Sequence, residues 1–143
     1  MEWWQSMNYR PHHTAISVRN LDKSVDFYKS LGYEQVHRYD EEDGSMSIVH
    51  LKLDSSFLEV FVYKKNENEP PVNYEYANNL EDIGVKHIAL WTDDIEAALA
   101  DMKAKGYASD DTKITFGRTK VSYFFIQDPD GVWVEFVKDD RYD

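Results

Sequence analysis

HTAISVRNLDKSVDFYKSLGY, running from His13 to Tyr33, aligns without a gap to HIALWTDDIEAALADMKAKGY, running from His87 to Tyr107, at an offset of 74 residues. His, Ala, a branched apolar residue, an acidic first turn, Lys, Gly and Tyr recur in step, far beyond what composition gives by chance. A second pairing follows, FLEVFV around Glu59 with WVEFVK around Glu135, at an offset of 76. The chain is therefore two copies of one unit. Each copy opens on an alternating strand, with Thr14, Ile16 and Val18 on one face in the first and Ile88 and Leu90 in the second. A helix follows each strand. Leu21, Val25 and Tyr28 recur at helical spacing behind an Asn20 N-cap and before a Gly32 stop; Ile95, Leu99 and Met102 do so between Asp94 and Gly106.

Three further strands complete each unit, expected at 34–39, 45–53 and 57–63 in the first copy and at 113–115, 121–127 and 133–137 in the second. The DPDG sequence, Asp128 to Gly131, is a tight reversal between the last two. The polar, proline-bearing stretch from Lys64 to Asp82 reads as the link between copies. These boundaries give one domain over 8–140, built of module 1 (12–63), a linker (64–84) and module 2 (85–138).

Composition narrows the function classes. With 143 residues, 42% of them hydrophobic and 15% aromatic, one packed domain is the default. The absence of cysteine removes disulfides, thiolate ligands and a cysteine nucleophile, so any metal must sit on nitrogen and oxygen. A net charge of -11 without a basic stripe repels phosphate backbones and anionic lipid, so no nucleic-acid or membrane partner is expected. The start MEWWQSMNYRPHH lacks an apolar h-region behind a basic flank, and a cytoplasmic location is expected. Trp3 and Trp4 are expected to pack on the domain or on a partner subunit, and Met7 is an equally good start. The acidic runs Asp40 to Asp43 and Asp139–Asp140 read as solvated turn and tail residues.

Strand alternation then groups the chemistry. If Ile16 and Val18 pack beneath their helix, His13, Ala15 and Ser17 point the other way. By the same parity His87, Ala89 and Trp91 share a face, as do Glu59, Phe61 and Tyr63, and Trp133, Glu135 and Val137. A carboxylate in the middle of FLEVF or WVEFV needs a partner, because an unpaired buried charge costs several kcal/mol. Two such carboxylates need two reasons, or one shared cation. Two imidazoles and two carboxylates suit a borderline or hard divalent ion, with two positions left for water or substrate if the ion is octahedral. His12, His37 and His50 read as structural histidines, and Phe61, Tyr63, Trp91 and Trp133 as either core or cavity lining.

HTAISVRNLDKSVDFYKSLGY, GVKHIALWTDDIEAALADMKAKG and FFIQDPDGVWVEFV resemble the hallmarks of the glyoxalase, bleomycin-resistance and extradiol-dioxygenase superfamily, also called the vicinal oxygen chelate superfamily. The resemblance runs from about His13 to Val137. It implies an α+β fold in which two βαβββ modules form a cupped mixed sheet around a metal. Matched motif to motif, the ligands are His13, Glu59, His87 and Glu135, around Zn, Ni, Co, Mn or Fe. The implied function is a metal-dependent lyase or isomerase of the glyoxalase type, acting on a small substrate with vicinal oxygens through an enediolate. Glu135 or Glu59 would serve as the base, Glu135 by preference. Ser17, Phe61, Tyr63, Trp91 and Trp133 are the expected substrate-binding residues, and a homodimer is implied.

Departures from the glyoxalase I pattern temper the substrate. Glutathione-using bacterial members resemble HTMLRV on the first strand, whose arginine helps hold glutathione; Ser17 stands there here. An epimerase of acyl thioesters is compatible with the same ligands. The alternative from another class is a metal-free protein that sequesters a small molecule such as an antibiotic, against which Glu59 and Glu135 argue.

Overall fold

The computed structural model of the chain describes residues 8–71 and 80–141. Trp3, Trp4, Met7 and the middle of the expected linker lie outside the described residues. The order of elements is β1 (His13–Val18), α1 (Leu21–Ser30), β2 (Glu34–Asp40), β3 (Met46–Leu53) and β4 (Ser56–Tyr63), then β5 (Ile88–Trp91), α2 (Ile95–Ala104), β6 (Thr115–Phe116), β7 (Ser122–Gln127) and β8 (Trp133–Lys138). These are two βαβββ modules. The chain divides into two compact units between Glu69 and Pro70.

Each module hydrogen-bonds its strands into its own four-stranded mixed sheet, in the order β1-β4-β3-β2 and β5-β8-β7-β6. The first strand pairs in parallel with the last and the other pairs are antiparallel. The α+β class implied by the resemblance is thus present, with separate ladders in the two modules.

The repeated sequence folds as it does for local reasons. Asn20 accepts the Lys23 amide at 3.1 Å and Asp94 accepts the Ala97 amide at 3.0 Å, so each helix begins on a side chain that satisfies an otherwise unpaired donor. Gly32 ends α1 at φ 108°, where a Cβ would also meet Leu53 Cδ1 at 3.3 Å. α1 lies against β2 and β4, burying Leu21, Val25, Phe27 and Tyr28. Ile95 and Met102 of α2 are buried against β7 and β8, with Leu99 only half-buried.

Alternation along the central strands sets the core. Val49, Leu51, Leu58 and Val60 are sealed on β3 and β4, each contributing about 1.5–3 kcal/mol of burial. Phe124, Ile126, Val134 and Phe136 do the same on β7 and β8. The intervening residues of these strands, including His50, Glu59, Phe125 and Glu135, face the other way and stay half-buried. At the reversal after β7, Asp128 is buried and its Oδ1 accepts the amides of Asp130 at 2.8 Å and Val132 at 2.9 Å. That pairing compensates for burying the carboxylate.

Strand ends differ from expectation by a residue or two, with two consequences. β6 is reduced to Thr115 and Phe116, and His87 lies just before β5 rather than within it. A bulge between Gln35 and His37 shifts the register of β2 so that His37 stands opposite His50. No helix among the described residues is long and apolar enough to cross a membrane.

Candidate active site

In the first module β1 and β4 run side by side with Ala15 opposite Glu59. The small alanine leaves room beside the carboxylate, and His13 at the start of β1 reaches diagonally to within 3.6 Å, Nε2 to Glu59 Oε1. The second module repeats the arrangement. Ala89 stands opposite Glu135 across β5 and β8, and His87 Nε2 lies 3.8 Å from Glu135 Oε1. Both separations are too long for a hydrogen bond. Two ligands bound to one ion at roughly 2.0–2.2 Å and near a right angle stand about 3 Å apart. Each pair could therefore close on an ion with a side-chain movement of less than about 1 Å. Neutral imidazole and carboxylate are also the donor types such an ion takes, so the residues present fit the group the sequence implies. No cluster of three or more His, Asp or Glu among the described residues is arranged to hold a metal ion.

The two carboxylates sit in different surroundings. Glu59 Oε2 lies 2.7 Å from His50 Nε2. The Glu135 carboxylate has no hydrogen-bond partner among the described residues, and desolvation by its surroundings raises its pKa above the usual carboxylate value, with His87 pulling the other way. The wall beside it is aromatic: Phe125 packs edge-on to His87 at 5.1 Å and to Trp133 at 6.0 Å.

Beside His87 and Glu135 the second module holds a cavity of about 810 Å³, also lined by Phe116, Arg118, Tyr123 and Arg141. Gly117 allows the Tyr123 ring to fold over the turn after β6, since a Cβ there would lie 2.7 Å from Tyr123 Cε1. Arg141 braces the same turn. Its fork holds Asp139 at 2.9 and 2.8 Å, and its Nη1 donates to the Thr119 carbonyl at 3.0 Å. Arg118 projects from that turn and makes no ion pair or hydrogen bond with the described residues. In a chain of net charge -11, an uncommitted guanidinium in a cavity wall attracts anionic groups.

Of the expected substrate-binding residues, Ser17 is exposed on β1 and pairs with Phe61 on β4; Phe61 and Tyr63 are half-buried in the first module. Trp91 is 65% exposed, and neither it nor Trp133 lines the 810 Å³ cavity. Arg118, Tyr123 and His50 were not singled out from sequence as functional. Only His50 left a signal: a titratable side chain amid the apolar alternation of SIVHLKL, on the strand neighbouring FLEVF.

A sequence profile of the Glyoxalase/Bleomycin resistance protein/Dioxygenase superfamily matches residues 10–136. Lactoylglutathione lyase of Schizosaccharomyces pombe is 29% identical over 139 residues, covering 92% of this chain, which spans 45% of that protein's length. The uncharacterized protein YwbC of Bacillus subtilis is 32% identical over 132 residues, covering 91% of this chain and 98% of its own. The crystal structure of SMU.1112c superimposes with a TM-score of 0.74 at 27% identity, covering 90% of this chain and 98% of that one. Repeat, module topology and profile agree, and the chain belongs to the glyoxalase/bleomycin resistance protein/dioxygenase superfamily.

Proposed function

We propose that the protein is a metal-dependent lyase or isomerase of the glyoxalase type, acting on a small substrate with vicinal oxygens. The observation that carries the reading is the duplicated pair, His13 with Glu59 and His87 with Glu135, each held open at 3.6 and 3.8 Å rather than collapsed into a hydrogen bond. A divalent ion, of Zn, Ni, Co, Mn or Fe, would be held by pairs of this kind, which supply the imidazole and carboxylate donors it prefers. Bound there, it would polarise a pair of substrate oxygens as a Lewis acid.

The proton chemistry falls to this chain. Glu135 takes the proton from the carbon next to the substrate carbonyl, and the C–H electron pair moves into the carbon–carbon bond as the carbonyl becomes an enediolate oxygen. Protonation of the former carbonyl carbon by the same carboxyl, with the proton of the neighbouring substrate hydroxyl passing to the former carbonyl oxygen, completes an isomerisation with no net change in atoms or electrons. Its raised pKa favours that exchange of roles, because a base is most effective when its proton affinity approaches the working pH. Phe116 and Tyr123 would exclude water beside it, and Arg118 would hold an anionic group of the substrate. A sequestering protein without a metal has no use for a desolvated carboxylate in its cavity wall.

A homodimer accompanies this reading, since each sheet ends on an outer strand, β1 or β5, with no further partner strand among the described residues. The test combines elemental analysis of the purified protein with a screen for deuterium incorporation from solvent, over thiol adducts of 2-oxoaldehydes and acyl thioesters. Bound divalent metal with exchange at the carbon beside the carbonyl is expected. Protein that neither carries nor takes up metal would overturn the reading.

A further inference from the structure

The two modules repeat each other at the carboxylate but not beside it. Across β4 and β3 Glu59 stands opposite His50; across β8 and β7 Glu135 stands opposite Phe125. His50 and Phe125 thus occupy matching places, and the repeat is chemically broken at this one neighbour of each carboxylate. His50 sits between the sealed Val49 and Leu51, so its backbone has little freedom and its ring must lie on the face that carries Glu59.

Glu59 has its two oxygens divided. Oε2 meets His50 Nε2 at 2.7 Å, while Oε1 is turned to His13 at 3.6 Å. An ionised carboxylate has no proton to give, so His50 Nε2 must be the donor. The His13 and His50 rings lie near-parallel, 21° apart with centroids at 6.4 Å, on the two sides of the carboxyl group. His50 therefore fixes the carboxylate's rotation and leaves the oxygen nearer His13 available. Phe125 can do nothing of the kind for Glu135.

We propose that His50 is a positioning residue that clamps Glu59 as a fixed ligand, a hold that Phe125 at the matching place does not give Glu135. The inference rests on the metal reading above and adds to it a difference between two carboxylates that the repeat would otherwise make equivalent. A ligand whose second oxygen is held loses less freedom on binding, and removal of such a supporting hydrogen bond typically weakens metal affinity by about 10–100-fold.

The experiment measures cobalt(II) affinity of the full chain by competition with a chromophoric chelator, and follows the cobalt ligand-field bands. It compares the wild-type chain, His50→Phe, which copies the second module, and His50→Gln, which keeps a donor. The clamp predicts cobalt binding about 10–100-fold weaker in His50→Phe, with His50→Gln recovering most of the loss. Circular dichroism of the metal-free variants checks that each is folded, and His50→Gln keeps the test decisive if the phenylalanine variant is not. Wild-type affinity in either His50→Phe or a His50→Gln chain whose amide no longer contacts Glu59 overturns the clamp and leaves the metal reading intact. Equal loss in both variants with altered ligand-field bands also overturns it, because the imidazole would then be a ligand itself. A wild-type chain that takes up no cobalt overturns the metal reading and the clamp together.

Discussion

Phe125 packs edge-on against His87, with ring centroids 5.1 Å apart, and so places an apolar wall beside the only imidazole that faces Glu135 within 4 Å among the described residues. An aromatic edge fixes the imidazole plane without competing for its ring nitrogens. The same ring lies opposite Glu135 in the β7–β8 register, so one side chain both orients the histidine and dries the carboxylate.

Glu135→Gln is therefore expected to keep most of the bound metal and lose turnover by about 10²–10⁴-fold, the usual contribution of a positioned base. Metal content and solvent deuterium incorporation beside the substrate carbonyl are measured on the same sample. Undiminished exchange would show that Glu135 is not the base, and loss confined to Glu59→Gln would transfer the role there.

Arg118→Ala is expected to raise KM for substrates that bear an anionic group while leaving kcat nearly unchanged, since the guanidinium binds ground state and transition state alike. Neutral substrates should show no such change. The exposed turn position of Arg118 makes a folding defect an inadequate account of a KM effect confined to anions.

Asn20→Ala and Asp94→Ala each remove an N-cap oxygen that accepts a helix amide. Each is expected to destabilise the chain by about 0.5–2 kcal/mol in urea unfolding monitored by circular dichroism. The cap residues lie apart from the His–Glu pairs, so metal affinity should not move with stability.

Asp139 has its pKa lowered to about 2, chiefly by hydrogen bonds from the Arg141 side chain. Its native pKa lies below the ordinary value of 3.8, so the stabilisation from this pair is complete above pH 3.8 and is lost as pH falls through about 2. Carbon-detected carboxyl titration by NMR should show the low value, and Arg141→Ala should return it toward 3.8.

Much of this was legible in the chain itself. The in-step recurrence of His, cap, helix and Gly in two segments fixes βαβββ twice, because caps and alternation are local properties. The facing of the carboxylates was legible for the same reason: strand parity puts Glu59 and Glu135 on the face away from the sealed Leu58, Val60, Val134 and Phe136, while their grouping with His13 and His87 was implied by the resemblance. The partner of Glu59 was not, since His50 meets it only through the β3–β4 register, and register is a long-range choice. Nor was the cavity beside His87. Phe116, Arg118 and Tyr123 converge there because Gly117 admits the Tyr123 ring and Arg141 ties down Thr119, and neither contact has a periodic trace in the sequence.

The separate ladders of the two modules have a bearing on how such a chain arose and how it can change. Among the described residues no strand of one half borrows a backbone partner from the other, so duplication of an ancestral half would have required no redesign of main-chain pairing. Each half can then drift on its own, and the exchange of a histidine for a phenylalanine at one matching position is the kind of divergence that such independence permits.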